Sequence, residues 1–404
     1  MSITSSYQSP NPLAALAQAR SQTDSLFALV SPEKFYDRPI AERHRMIFYL
    51  GHLEAFDWNL VCRRALDVPS FHQEFDKLFA FGIDPPVGQL PQDQPSDWPS
   101  IEEVTSYNHR VRETLDRLMD NAPRQLIQCA IEHRLMHADT FAYILHNENH
   151  ARPLTPLPPS SPPPLEMISI PAGTATLGLS GDAFGWDNEF PETSIPVPAF
   201  AISRYKVTNG DYLSFVNSGA APPHYWTRRD GAWFYRGVFA EYPLPLDWPV
   251  YVTRTEAAAY AKSLGMSLPT EAQFHRAAYG TPTGKERDLP WGSEPPTTQR
   301  GNFDFARWDP LPVTANPEGD SAFGVSQLAG NGWEWTSTPF SPFPGFERFP
   351  FYPGYSAPFF DGDHFVVKGA APRTAACFLR RSFRNWYRQG YPYVHAAFRC
   401  VDVR

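Results

Sequence analysis

The chain has 404 residues, 42% of them hydrophobic, so it is long enough for two domains and apolar enough to build a core in each. A formal net charge of −8 excludes a nucleic-acid binder that relies on a basic face. No apolar run approaches membrane-span length, and Met1 to Ser6 lack the basic-then-apolar layout of a signal peptide. A cytoplasmic protein is expected, with no membrane and no obligate protein partner. The four cysteines, Cys62, Cys129, Cys377 and Cys400, are widely spread and form no Cys-x-x-Cys. Reduced, buried thiols are expected of them.

In chain order, residues 10 to 150 read as helical. Leu13 to Arg20 opens with good helix formers. Arg43 to Ala65 carries Ile47, Leu50, Phe56 and Leu60 at helical spacing. Ile101 to Met119 repeats the pattern through Val104, Val111, Leu115 and Leu118, with Ser100 placed as N-cap ahead of acids. Pro123 to Leu145 supplies a fourth helix. Four such helices predict an antiparallel bundle, and bundle cores commonly host metal sites.

The last helix contains His133 and His137, and the second contains His52 within Leu50-Gly51-His52. Positions i and i+4 share one helix face, so two imidazoles there can hold one ion while a third closes the site from a neighbouring helix. Three neutral nitrogens leave coordination positions open. His146 and His150 repeat the spacing beside the helix end, where solvent-exposed histidines favoured by the helix dipole are expected. Glu132 precedes His133, an order that differs from the zinc-protease motif His-Glu-x-x-His.

Arg152 to Pro164 is proline-rich and reads as a polyproline-type linker. The expected division is a bundle over 1–151, a linker over 152–165 and a second domain over 166–404. That domain shows short β-like runs at Met167 to Ile170, Phe200 to Ile202, Phe365 to Lys368 and His395 to Val401. One clear helix, Thr255 to Leu264, ends at Gly265. The fold class expected is multidomain, α followed by α+β.

Several motifs follow in order through this second part. They are Ile168 to Gly173, Phe184-Gly185-Trp186-Asp187-Asn188-Glu189, Tyr205 to Asn209, Leu268 to Phe274, Leu328 to Thr336, Ser382 to Trp386, and Phe398-Arg399-Cys400. The series is similar to the formylglycine-generating-enzyme-type fold, a C-type-lectin-like domain. A DinB-like four-helix bundle joined to it resembles the non-heme iron sulfoxide and selenoxide synthases of the ergothioneine type, over essentially the whole chain.

The resemblance implies that ferrous iron is held by His52, His133 and His137, with dioxygen as co-substrate. It implies that a carbon–sulfur or carbon–selenium bond forms at the imidazole carbon of hercynine (Nα-trimethylhistidine). The donor is a thiol, such as γ-glutamylcysteine or cysteine, or a selenosugar. The family's Asn-Trp pair falls on Asn385 and Trp386; aromatic faces such as Trp386 suit a trimethylammonium group. Thiol-using members carry Asp and Arg where this chain has Tyr387 and Tyr391. Two phenols in place of two charges suit a sugar better than a zwitterion, unless Arg384 or Arg388 supplies the charge. The family's glutamine before the second histidine is here Met136, which cannot donate a hydrogen bond. An active-site tyrosine of the family falls nearest Tyr352. Trp333, Glu334 and Trp335 read as structural. So do Asp187, Asn188 and Glu189, although their oxygens suit calcium.

Formylglycine-generating chemistry needs active-site cysteines, which these four do not match. Two other classes are compatible with the residues alone: a zinc-dependent thiol S-transferase, which would need no dioxygen, and a non-catalytic ligand-binding protein.

Overall fold

The computed structural model describes residues 11–83, 89–181 and 183–402. Two compact units meet in sequence at His150 and Ala151.

The first unit is helical. Helix α1 (Pro12–Phe27) starts where the Asn11 side chain accepts from the Ala14 amide at 3.1 Å, and Pro12 fills a position whose amide needs no partner. Helix α2 (Met46–Asp57) runs on into a π-helical stretch, Trp58–Ala65, where one regular helix was expected. The Trp58 indole and the Asn59 amide both donate to Asp76, fastening the wider turn to helix α3 (Gln73–Phe81). Helix α3 lies outside the four expected helices. Helix α4 (Ile101–Leu118) opens on the expected Ser100 cap, made reciprocal by Glu103. Helix α5 (Arg124–His146) follows and packs along α1, while α2 packs on α3, α4 and α5.

A buried charge knot crosses this core. Arg134 on α5 donates to Glu54 at 2.6 Å and to Asp57 at 2.8 Å, both on α2, and Arg112 on α4 reaches Glu54 at 2.6 Å. Burial alone would raise the Glu54 carboxyl, but the arginines hold it below the usual carboxylate range. Burial pushes Asp57 up, against the pull of Arg134.

The second unit is built from short strands and long ordered loops. Its strands are β1 (Met167–Ile170), β2 (Gly173–Leu177), β3 (Thr193–Val197), β4 (Phe200–Ser203), β5 (Trp226–Arg229), β6 (Ala232–Arg236), β7 (Glu241–Pro243), β8 (Gly332–Pro339), β9 (His364–Ala370), β10 (Asn385–Arg388), β11 (Ala396–Ala397) and β12 (Val401–Asp402). They form sheets ordered β1-β4-β12, β10-β9-β8-β11, β2-β3 and β5-β6-β7. Three helices join them: α6 (Asn209–Asn217), α7 (Arg254–Ser263) and α8 (Glu271–Tyr279). Only α7 was expected. It ends as the sequence predicts, with Gly265 at φ +69° and the Met266 amide donating back to Ala261. Ile170, Ile202, Phe274, Leu328 and Val401 form the core where β1, β4, β12 and α8 meet.

One expectation changes here. The run His395 to Val401 is not one strand. Strand β11 lies parallel to β8, and β12 pairs antiparallel with β4 in another sheet. Between them Arg399 is buried; it donates to Glu334 at 2.6 Å and to the carbonyls of Ser203, Arg204 and Ser326. The chain turns out of one sheet to satisfy that guanidinium. Lys206 also reaches Glu334, at 2.6 Å, so the acid between Trp333 and Trp335 carries two buried cations.

The proline-rich stretch is fastened to this unit as well. The Arg152 side chain donates to the Gly237 carbonyl, Leu154 bridges to Glu241, and the Leu246 amide donates to Ser160. All four cysteines are buried and stand outside any disulfide. Among the described residues no helix is long and apolar enough to cross a membrane.

Candidate metal centre

Two helices bring the three histidines together. His52 comes from α2, and His133 and His137 come from successive turns of α5. One nitrogen from each lies within 4.8 Å of the others. The Nε2 atoms of His52 and His137 are 3.2 Å apart. Two nitrogens each about 2.1 Å from one ion stand roughly 3.0–3.4 Å apart at octahedral or tetrahedral angles. The spacing therefore fits a shared metal.

The local sequence explains the placement of His52. Its Nδ1 lies 2.6 Å from the Phe79 carbonyl on α3. A carbonyl can only accept, so Nδ1 carries the proton and Nε2 presents its lone pair to the site. Gly51 permits that contact. A Cβ at Gly51 would lie 2.5 Å from the ring of Phe79, which is fully buried. Helix α3, missed in the sequence, is thus part of the site; its signal was Phe75, Leu78 and Phe79 at i, i+3 and i+4 after His72.

Burial lowers all three imidazoles, His52 to about 4 and the other two well below their ordinary value, with further lowering from neighbouring cations and imidazoles. Neutral rings at physiological pH are the form that binds a metal. Each also has an aromatic neighbour on α2. Phe48 stacks on His52 at 4.7 Å, Phe56 on His133 at 3.5 Å, and Tyr49 tilts against His137 at 5.9 Å. His52 and His133 are buried, while His137, Met136 and Phe56 are half-buried and mark the accessible side.

The other histidine pair is different. His146 is buried, contrary to the exposed position expected for it, because α5 runs through the middle of the bundle to its last turn. The Glu132 carboxylate accepts from Gln128 one turn earlier.

The remaining predicted site residues lie in the second unit. Asn385, Trp386 and Tyr387 sit on β10, paired with Val367, Val366 and Phe365 of β9. Strand alternation sends Asn385 and Tyr387 to one face and Trp386 to the other. On the first face the Asn385 amide donates to the Tyr387 hydroxyl at 3.2 Å, and the Tyr387 and Tyr391 rings are parallel to within 9° at 6.3 Å. On the second, Trp386 stacks on Phe340 at 4.1 Å and meets Phe359 and Tyr355. Tyr352 contacts Trp186 and Tyr355. Tyr355, which the sequence reading passed over, stacks on Trp186 at 4.0 Å and lies edge-on to Trp386.

The charges near β10 are engaged or exposed. Arg384 is buried and committed to Glu271 and to the carbonyls of Asn188 and Ser341. The Arg388 side chain is 64% exposed, 3.9 Å from Asp363. Glu189 accepts from Arg380 and Ser382, and Ser356 bridges Asp187 and Asn188. These three residues serve the fold.

Comparison with known proteins agrees with both units. Residues 155–403 match the sulfatase-modifying factor enzyme 1-like domain, and residues 15–157 match the DinB superfamily. A protein named hercynine oxygenase from Mycolicibacterium thermoresistibile is 36% identical over 314 residues, covering 68% of each chain. Its namesake from Mycolicibacterium smegmatis is 34% identical, covering 68% of this chain and 71% of that one. Ergothioneine biosynthesis protein 1 from Neurospora crassa is 27% identical over 92% of this chain, which spans 55% of that protein's length.

Proposed function

This chain belongs to the sulfatase-modifying factor enzyme 1-like family, within the group that includes the hercynine oxygenases, and from that premise we propose that it is a dioxygen-dependent non-heme iron(II) enzyme acting on hercynine. The carrying observation is the cluster of His52, His133 and His137: the Nε2 atoms of His52 and His137 stand 3.2 Å apart, the spacing of two ligands to one ion, and a His133 nitrogen lies within 4.8 Å of both histidines. Ferrous iron, when bound, supplies dioxygen activation and open positions for substrate donor atoms. The chain's own part is to hold three neutral imidazoles with fixed ring orientation and to keep their surroundings apolar.

The reaction is the joining of a chalcogen donor to the imidazole carbon of hercynine, and the donor favoured is a selenosugar. Support comes from Asn385 and Tyr387 on one face of β10 and from Tyr391, whose ring lies parallel to that of Tyr387. Phenols stand there where thiol-using relatives of the resembled type carry Asp and Arg, and Arg384 is committed elsewhere. Aromatic rings with hydroxyls suit a neutral polyol. Trp386, within its aromatic stack, and Met136, beside His137, are the further substrate-facing candidates; Tyr352 and Tyr355 are the candidate proton or electron donors.

The test is aerobic incubation of iron-loaded protein with hercynine and competing selenosugar, γ-glutamylcysteine and cysteine donors, read by mass spectrometry. A selenium-bearing imidazole product is expected. Product from the thiols alone would reassign the donor as sulfur, the reading that the name of the Neurospora relative favours. Turnover without dioxygen would overturn the oxidative reading in favour of a transferase.

A further inference from the structure

We propose that Phe56 is a positioning residue for the metal ligand His133, and that it strengthens metal binding through its ring face. The inference rests on the reading of the three histidines as a metal centre. Its starting point is the contact that each of two imidazoles makes. His52 is oriented by a hydrogen bond to the Phe79 carbonyl. His133 has a different restraint: the Phe56 ring lies flat on it, with centroids 3.5 Å apart and planes within 9°.

The geometry follows from spacing along α2. Phe48, His52 and Phe56 recur every four residues, so their side chains follow one another along one side of the helix. Phe48 stacks on His52 at 4.7 Å. Phe56, one turn further on, stands 6.4 Å from His52 and reaches across to α5 instead. One helix therefore supplies a ligand of its own and the surface against which a second ligand rests.

Two physical consequences follow. A flat contact on the imidazole restricts rotation about its terminal side-chain torsion, which is broad when unrestrained. The contact keeps the nitrogen lone pair aimed. The second consequence arises only when metal binds. A divalent ion withdraws electron density from the imidazole, and an electron-poor ring is attracted to the negative face of a benzene ring. The stack then tightens with the metal present, so Phe56 adds to affinity rather than only to fold stability. Phe56 is half-buried while His133 beneath it is buried, so the ring also separates His133 from solvent.

The experiment uses the full chain with cobalt(II) and iron(II), measuring affinity by chelator competition and the cobalt d–d absorption bands. Phe56→Leu should weaken metal binding about tenfold, as loss of an outer partner of a ligand does, and should shift or broaden the bands. Phe56→Tyr keeps the ring and should restore both. Introducing pentafluorophenylalanine at position 56 keeps the shape but reverses the charge of the face, and should weaken binding as Phe56→Leu does. Wild-type affinity and spectrum in Phe56→Leu would overturn the proposal while leaving the metal centre standing. Failure of the wild-type chain to bind metal, or binding that survives His133→Ala unchanged, would overturn the metal reading and the proposal with it.

Discussion

Gly51 shows how one missing methyl group shapes the centre. The Phe79 ring occupies the space where its Cβ would be, and the Phe79 carbonyl holds His52. Neither group can withdraw cheaply, because the ring is fully buried. Gly51→Ala should therefore cost about 1–3 kcal/mol, the range for overpacking a filled core, as measured by urea denaturation. Metal affinity should fall in parallel as Phe79 is pushed from His52. At the other group of residues, Tyr387→Asp combined with Tyr391→Arg introduces the two charges that the family resemblance assigns to thiol-using members. On the proposed reading of the donor, that double variant should shift product formation from the selenosugar toward γ-glutamylcysteine in a mass-spectrometric competition assay; an unchanged product ratio would remove these two residues from donor choice.

Between elements, the decisive join in the bundle is α2 to α5. The buried pair Glu54–Arg134 spans it at 2.6 Å. Removing Glu54 leaves the buried Arg134 with Asp57 alone, so the cost lies at or below about 3–5 kcal/mol, that of breaking a buried pair outright. Glu54→Ala should lower the unfolding free energy of the bundle by that order and loosen the spacing of His52 from His133 and His137, seen as weaker cobalt binding. Glu54→Gln, keeping part of the hydrogen bonding, should fall between.

This scale also shows what could be read from the chain alone. The histidine spacing, the Ser100 cap and the Gly265 stop are local signals, legible because neighbouring residues carry them. Helices α6 and α8 were legible in the same way and were missed: Thr208 with Asp211 and Thr270 with Gln273 are capping boxes in plain sight. The burial of His146, the split of the last β run and the opposite faces of Asn385 and Trp386 depend on partners far along the chain. Arg399 illustrates why. Its carbonyl partners at Ser203, Arg204 and Ser326 have no trace in the sequence around it.

For the molecule as a whole, acid is the predicted weakness. His395 is buried against Tyr251, and burial, with the nearby Arg373, lowers it to about 3. The folded state refuses a proton that the unfolded chain accepts once the pH drops below about 6.5. Stability is therefore fully present above that value and declines as the pH falls toward the folded value. The slope is about 1.4 kcal/mol per pH unit, on the order of 3 kcal/mol between pH 6.5 and 4. Denaturant midpoints across this range should show the decline, and His395→Gln should flatten this site's share of it. An equally steep profile in the variant would place the acid sensitivity elsewhere.

The sheet ordered β1-β4-β12 has one further consequence, and it concerns time. Strand β4 is flanked by β1, made early in its unit, and by β12, at Val401–Asp402. Helical bundles close through nearby residues and fold fast; sheets joined by distant residues pay a larger loop-closure cost and fold slowly. On a chain emerging from the ribosome, the three histidines can find one another while β4 still has an open edge. The cluster of His52, His133 and His137 would come together before Val401–Asp402 has been synthesised.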